Sequence, residues 1–453
     1  MSRLYESWGR YPKVSQQVRV IEWASEPVFD FLSAEPAANR LVLPYGQGRS
    51  YGDSCLNDGG WLLSTERLRH FIAFDPDQGL LRCEAGVTLS EVLEFCVPRG
   101  FFLPVTPGTR FVSLGGAVAN DIHGKNHHRA GTFGCHVTAF MLLRSDGSRV
   151  LCSPLSNPEL FKATIGGLGL TGLILWVELR LRRIESPFIC MEAVKFGCLD
   201  EFFELSRTSD CSFEHTVAWL DCVASGRAFG RGIFMRGNHA ACAELPAAWQ
   251  VRAKEEKYQR ARQIFSVPCD APGFALNNFT VRLFNMLYYH KQFPKQVTRF
   301  VPYQPFFYPL DAIGNWNRIY GRRGLLQFQC VVPSENNNQA LRSLLKSVVE
   351  SGKASFLAVL KEFGEIESPG LLSFPRRGMT LCLDIPYDGS STLELMERLD
   401  AMVRDFGGKM YPAKDACMSP QSFRCYYPQA VEFARYIDKQ FSSSFWRRVK
   451  GGL

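Results

Sequence analysis

Leu41–Gly60 reads LVLPYGQGRSYGDSCLNDGG, a short apolar run followed by five glycines, two serines and one arginine. Glycine lets backbone N–H groups come close to a ligand, and successive N–H groups make a concave anion site. Directly after a strand, such a loop reads either as a phosphate cradle or as a surface turn. The surrounding sequence has to decide. A second cluster, PVTPGTRFVSLGGAVANDIHGKNHH, runs from Pro104 to His128. There Ser113 is placed to cap a short helix whose first turn holds Gly115 and Gly116, with free N–H groups facing an anion. A third, TIGGLGLTGLI, contributes Gly166, Gly167, Gly169 and Gly172. One extended ligand carrying a pyrophosphate would account for all three. Neither a GxGxxG opening a helix nor a GxxxxGK[ST] is present, so dinucleotide and P-loop fingerprints are excluded.

The chain is too long, at 453 residues, for one core, and its 46% hydrophobic content is that of a folded globular protein. Fifteen cysteines lack CxxC pairs or zinc-site spacing, which fits a reducing compartment and no metal. A net charge of +8 permits anionic ligands or an anionic membrane surface without requiring nucleic acid. The N-terminal residues MSRLYESWGRYPKV have no apolar signal region. GGLGLTGLILWVELRL, the most apolar stretch, reaches Glu178 too soon to span a bilayer. A cytoplasmic protein, at most peripheral to a membrane, is expected.

Strand and helix signals alternate along the chain. LLRCEA reads as a strand, and Thr88 with Glu91 forms a capping box that opens a helix. VTAFMLLRSDGSRVLC reads as a hairpin turning at Asp146-Gly147. Asn157 and Pro158 read as N-cap and first residue of another helix. Beyond residue 186, GLLQFQCVVP, ASFLAVLK and GMTLCLDIP read as strands. Ser334–Glu350 reads as a helix, and Leu393, Met396, Leu399, Val403 and Phe406 line another. The expected class is α+β, with residues 1–185, 186–410 and 411–453 as its organisational units.

GQGRSYGD, GVTLSEV, the Pro104–His128 segment and TIGGLGLTG together resemble the FAD-binding (PCMH-type) domain of vanillyl-alcohol-oxidase-type flavoproteins. More narrowly, HGKNHHRAGTFG, YPLDAIGNWNRIYG, LLQFQCVVP, LCLDIP and YPAKD resemble the decaprenylphosphoryl-β-D-ribose 2′-oxidase family, over roughly residues 40–430. The resemblance implies a two-subdomain FAD-binding domain, an inserted substrate domain built on an antiparallel sheet backed by helices, and a final segment returning to the flavin. Gly46, Gln47, Gly48, Arg49, Ser50, Tyr51, Gly52 and Asp53 would hold the pyrophosphate. Gly108, Ser113, Leu114, Gly115, Gly116, Asn120, Asp121, Ile122 and His123 would line the rest of the flavin site. Ile174 would stand near the adenine and Tyr411 would arrive from the C-terminal segment. Many relatives carry a flavin-linking histidine just before the serine of the first loop. Arg49 stands there instead, which implies non-covalent FAD with Arg49 countering phosphate charge.

The implied reaction oxidises the 2′-hydroxyl of a polyprenylphosphoryl ribose to a keto sugar, the first half of an epimerisation that an NAD(P)-dependent keto-reductase would complete. An FAD-dependent aldonolactone or alditol oxidase acting on a soluble sugar is the alternative. Flavin takes the hydride, and the protein positions the substrate and moves a proton. Lys414 in YPAKD, then Lys125 and His123, are the candidates for that transfer. The resemblance places Gln329 and Cys382 beside the flavin ring, with Lys361 and Tyr51 near; from the residue alone, Cys382 reads as a small buried hydrophobe. Period-2 alternation puts Gln327 with Gln329, and Thr380 with Cys382 and Asp384, on common faces. His127, His128 and His136 have no ligand spacing and read as structural, or, for the His127-His128 pair, as a border to the flavin phosphates. The aromatic and basic stretch 274–307 reads either as core or as a gate resting on a membrane.

Overall fold

The computed structural model describes residues 5–36, 40–253, 265–273 and 275–451. Three sheets organise it. Gln17–Val20, Trp61–Ser64 and Val42–Tyr45 form a parallel sheet with Trp61–Ser64 at its centre. The short apolar run that opens LVLPYGQG is thus a strand, and the glycine loop leaves its C-terminal end. Five antiparallel strands form the second sheet, in the order Phe71–Asp75, Leu80–Glu84, Leu173–Arg180, Val137–Leu143, Arg149–Cys152. The hairpin turning at Asp146-Gly147 is its far edge. The Thr88–Glu91 capping box closes as expected at the start of helix Leu89–Cys96. Asn157 departs from expectation: its backbone is left-handed and its amide donates to the Leu151 carbonyl, so it does not cap Pro158–Thr164.

The third sheet has eight antiparallel strands, in the order Gln296–Pro302, Phe188–Phe196, Gly232–His239, His215–Leu220, Ala358–Phe363, Gly378–Pro386, Leu325–Val332, Lys409–Met410. Helices Glu335–Ser351 and Ser390–Asp405 cover one face. Alternation decides what each strand offers that cover. Leu326, Phe328, Cys330 and Val332 face the helices, as do Leu381, Leu383 and Ile385, and they pack with Leu344, Leu345, Leu399 and Val403. Truncating Phe328, which is fully buried, to Ala would cost about 3–5 kcal/mol. The intervening residues, Gln327 and Gln329 opposite Asp384 and Cys382, face the other way. Polar side chains on a buried sheet face need partners, and that face is the site.

Past Met410 the chain crosses to the first two sheets. The Tyr411 hydroxyl donates to the Asn120 carbonyl, and the Tyr51 amide donates to the Ala413 carbonyl. Arg448 bridges Asp53 and Asp415, and Arg144 bonds Asp438. A Cβ on Gly52 would lie 1.6 Å from the Asp415 carbonyl oxygen, so this crossing requires glycine there.

The 274–307 stretch divides. Phe274 lies outside the described residues. Tyr303, Phe306 and Phe307 are core. Helix Asn278–His290 instead leaves Phe279, Leu283, Phe284, Met286 and Leu287 exposed, with Phe293 beyond it 93% exposed. Among the described residues, no helix is long and apolar enough to cross a membrane.

Candidate active site

The three glycine clusters converge on one cavity of about 380 Å³ between the eight-stranded sheet and the N-terminal sheets. Gly46–Tyr51, then Gly108, Ser113, Gly115 and Gly116, then Gly169, Gly172 and Ile174 all line it. Gly48 is left-handed, with φ +61°. The amides of Gly48 and Ser50 make no hydrogen bond among the described residues, which leaves them as donors for an anion. A Cβ on Gly46 would sit 2.2 Å from Ser113 Oγ, so the first loop rests directly on the second cluster. This glycine cradle with unspent amides fits the pyrophosphate of a dinucleotide.

The second cluster works differently from the expectation. Ser113 does cap the helix Leu114–Ala119, accepting from the Gly116 amide at 3.3 Å. The Leu114 and Gly115 amides, however, donate to the carbonyls of Val87 and Ala85. The first turn is spent on the neighbouring loop and offers no free N–H set to an anion. Four of the expected flavin residues also stand outside the cavity. Gly52 packs on Asp415, and Asp53 is held by Arg448. Leu114 is core, and Asp121 accepts from the Gly134 amide and from Ser368 and Ser373. Gly166 and Gly167 serve the turn after helix Pro158–Thr164, the Gly166 amide donating to the Val118 carbonyl. Gln47, Asn120, Ile122, His123 and Tyr411 line the cavity.

Arg49 is clamped. Its guanidinium lies 4.0 Å from the Trp8 ring and 5.7 Å from that of Phe111, and its Nε donates to the Phe111 carbonyl. Nothing in the local sequence announces Trp8, which the Trp8 amide–Ser50 carbonyl bond ties to the loop.

All six residues expected to carry chemistry line the same cavity: Lys414, Lys125, His123, Cys382, Gln329 and Tyr51. His123 lies between two partners, with Gln329 Nε2 3.0 Å from its Nε2 and Lys361 Nζ 3.2 Å from its Nδ1. Burial, then the Lys361 charge, hold this imidazole well below its usual range, so it is neutral and carries one N–H. Gln329 Nε2 also donates to Thr380 Oγ1 at 3.4 Å, so the amide meets the imidazole as a donor and His123 Nε2 accepts. Lys361 also donates to the Gly124 carbonyl.

Three lysines share this space. Burial brings Lys125 down to about 7 and Lys361 down to about 8, and lowers Lys414 as well. Lys125 donates to the Phe306 carbonyl, and Lys414 Nζ lies 3.9 Å from the centre of the Tyr51 ring. Among the described residues none of the three is ion-paired. Desolvation favours the neutral amine, and an anion bound beside these lysines would favour their charged form. Burial pushes the Cys382 thiol up to about 12 and the Tyr51 phenol well above its usual range. Neither is a base or nucleophile near neutral pH.

Away from the lysines, Val217, Trp219, Met235, Tyr288 and Leu310 make an apolar wall. Tyr288 and Phe307 come from the aromatic stretch; strand pairing brings in Val217, Trp219 and Met235. Trp219 and Met235 stand on adjacent antiparallel strands, a neighbourhood that no local motif records.

A family model described as an FAD binding domain matches residues 26–153. Decaprenylphosphoryl-beta-D-ribose oxidase of Mycolicibacterium smegmatis is 34% identical over 455 residues, covering 98% of this chain and 96% of that one. L-gulonolactone oxidase of Mus musculus is 25% identical over 178 residues, or 39% of this chain and 40% of that one. A putative D-arabinono-1,4-lactone oxidase of Neurospora crassa is 30% identical over 138 residues, 30% of this chain and 24% of that one. The lactone oxidases thus share one region, whereas the first likeness includes the strands that carry Gln329, Lys361 and Cys382 and the segment that carries Lys414. The chain belongs to the decaprenylphosphoryl-β-D-ribose oxidase family of FAD-dependent oxidoreductases acting on CH–OH groups.

Proposed function

We propose that the chain oxidises the 2′-hydroxyl of a polyprenylphosphoryl-β-D-ribose to the 2′-keto sugar. The observation that carries this reading is the mixed lining of the cavity: Lys125, Lys361 and Lys414 are in no salt bridge among the described residues, and Val217, Trp219 and Tyr288 add apolar surface. A sugar phosphate on a hydrocarbon chain offers both an anion and an apolar chain, whereas a free aldonolactone offers neither.

FAD, when bound, supplies the hydride acceptor. The Gly46–Tyr51 loop holds its pyrophosphate without a covalent link, since Arg49 stands on the loop and its guanidinium is taken up by Trp8 and Phe111. Gln329 and His123 fix the sugar from the sheet side, through the hydrogen-bonded pair they make with Lys361. Lys414, lowered by burial and exposed to the cavity, takes the hydroxyl proton. Residues 1–185 with 411–453 form the flavin-holding part and 186–410 the substrate part.

The exposed apolar face of Asn278–His290 leads away from the wall at Tyr288 and rests on the inner face of the plasma membrane, where a polyprenyl chain would reside. An NAD(P)-dependent keto-reductase would consume the product and complete a ribose-to-arabinose epimerisation. The test is anaerobic mixing of the FAD-loaded protein with polyprenylphosphoryl ribose, following flavin absorbance. Bleaching by that sugar and not by L-gulonolactone is expected; the reverse preference would establish the lactone oxidase reading instead.

A further inference from the structure

We propose that residues 5–11 form a strap that retains FAD, so that the cofactor exchanges with solution only when this segment lifts. The inference rests on the reading that the glycine loop at 46–51 holds FAD without a covalent link. Trp8 lines the cavity and is partly exposed, which places its ring at the rim. On one side the segment is fastened to the glycine loop. The Trp8 amide donates to the Ser50 carbonyl at 2.7 Å, and the Tyr45 hydroxyl donates to the Glu6 carbonyl at 2.7 Å. These bonds bracket the loop, one just before Gly46 and one just after Arg49. The Arg49 guanidinium, 4.0 Å from the Trp8 ring, adds a third contact between strap and loop.

On the other side the segment is fastened to the substrate part. The Leu325 amide donates to the Gly9 carbonyl at 2.9 Å, and Asn317 Nδ2 donates to the Trp8 carbonyl at 3.0 Å. The rings of Trp8 and Trp316 meet edge to face at 5.6 Å. Arg10 Nη1 pairs with Asp270 at 2.6 Å and donates to the Gly321 carbonyl at 3.3 Å. A Cβ on Gly9 would lie 2.4 Å from the Tyr51 carbonyl oxygen and 2.7 Å from that of Leu325. The strap therefore passes between the two parts at a point where only glycine fits. Arg10 next to it takes left-handed backbone, φ +62°, which an L-residue adopts only where its surroundings enforce it.

A glycine-rich loop has more conformational freedom to lose than any other when it closes on an anion. Gly48, at φ +61°, lies between the two fastened points. Fixing the loop at both ends removes that freedom before the ligand binds, and preorganisation of this kind acts mainly on the rate of dissociation. The loop opens to release its anion when the strap lets it go.

The test follows FAD release, without substrate, from FAD-loaded wild type, Gly9→Ala and Arg10→Gln. The protein is diluted with a pyrophosphatase that cleaves only free FAD, and the rise of FMN fluorescence gives the rate. Gly9→Ala pushes the strap off both carbonyls and should release FAD faster by on the order of tenfold or more. Arg10 does not line the cavity, so Arg10→Gln removes only the outer anchor. It should also speed release severalfold while melting close to wild type in excess FAD. Asp270→Asn should match it, and the double variant should add nothing further. Release from Arg10→Gln at the wild-type rate overturns the proposal, even where Gly9→Ala is fast or fails to load FAD. Faster release that tracks a lower melting temperature in excess FAD is general loosening and overturns it too. Flavin that stays on the denatured wild-type chain refutes the non-covalent reading, and the strap with it. Flavin freed by denaturation, together with an unchanged rate in Arg10→Gln, refutes the strap alone.

Discussion

Acid should unfold this protein earlier than its carboxylates alone would require. Burial holds His127 and His239 at about 3, and holds His123 and His215 well below the ordinary imidazole range. His127, His215 and His239 have both ring nitrogens buried without a hydrogen-bond partner, so nothing in the fold welcomes their protons. The folded pKa lies below the unfolded value of ~6.5, so the unfolded chain binds more protons and stability falls as pH drops below ~6.5. At pH 4.5 each such histidine costs about 2.7 kcal/mol, and His127 and His239 together cost about 5 kcal/mol. That is of the order of a whole domain's stability, about 5–15 kcal/mol. Asp384 works the other way, because its raised folded value means it binds a proton earlier in the folded state, and it offsets about one histidine in this window. Burial raises Asp121, Asp311, Asp400 and Asp415 as well, and they oppose in the same sense, so the histidine contribution is read as the difference between wild type and a histidine variant. Thermal melting of the FAD-loaded protein, followed by near-ultraviolet circular dichroism from pH 7.5 to 4.5, should show Tm falling steeply below pH 6.5. His127→Phe, placed against the Phe363 ring at 4.6 Å, should remove one proton's worth of that slope. A Tm constant from pH 7.5 to 5, or a slope unchanged in His127→Phe, would refute the reasoning.

Acid or heat precipitation of the holoprotein should leave yellow flavin in the supernatant, and colour retained by the washed polypeptide would contradict the role given to Arg49. Lys414→Ala should keep FAD and lose substrate-driven flavin reduction by about a hundredfold or more, measured by stopped flow. Near wild-type rates would remove Lys414 from the chemistry. Anionic liposomes should bind the protein at low salt, with each basic residue near the surface adding about 1 kcal/mol. Lys295 pairs with Glu201 and Lys291 lies over the Tyr288 ring, so replacing Arg282, Lys291 and Lys295 with Gln should weaken binding less than Phe279→Ser with Leu287→Ser and Phe293→Ser. Vesicle sedimentation unaffected by the apolar triple change would argue against the membrane role.

Local chemistry in the chain determined a good deal. The Thr88–Glu91 box, the Asp146-Gly147 hairpin and the two amphipathic helices near 340 and 400 are legible because capping, turn geometry and periodicity act over a few residues. The glycine clusters are legible for the same reason, and strand alternation put Gln327 with Gln329 and Cys382 with Asp384. What only the tertiary structure decided is which groups meet. The first-turn amides after Ser113 are consumed by the Val87 and Ala85 carbonyls, which lie outside any local window. Asp53 belongs to Arg448, 395 residues away, and so leaves the cavity to its neighbours. Trp8 reaches Arg49 because its backbone bonds Ser50. Lys125, Lys361 and Lys414 lose water together only when three separate segments close on one sheet face, and desolvation, which sets their proton affinities, is a property of that closure.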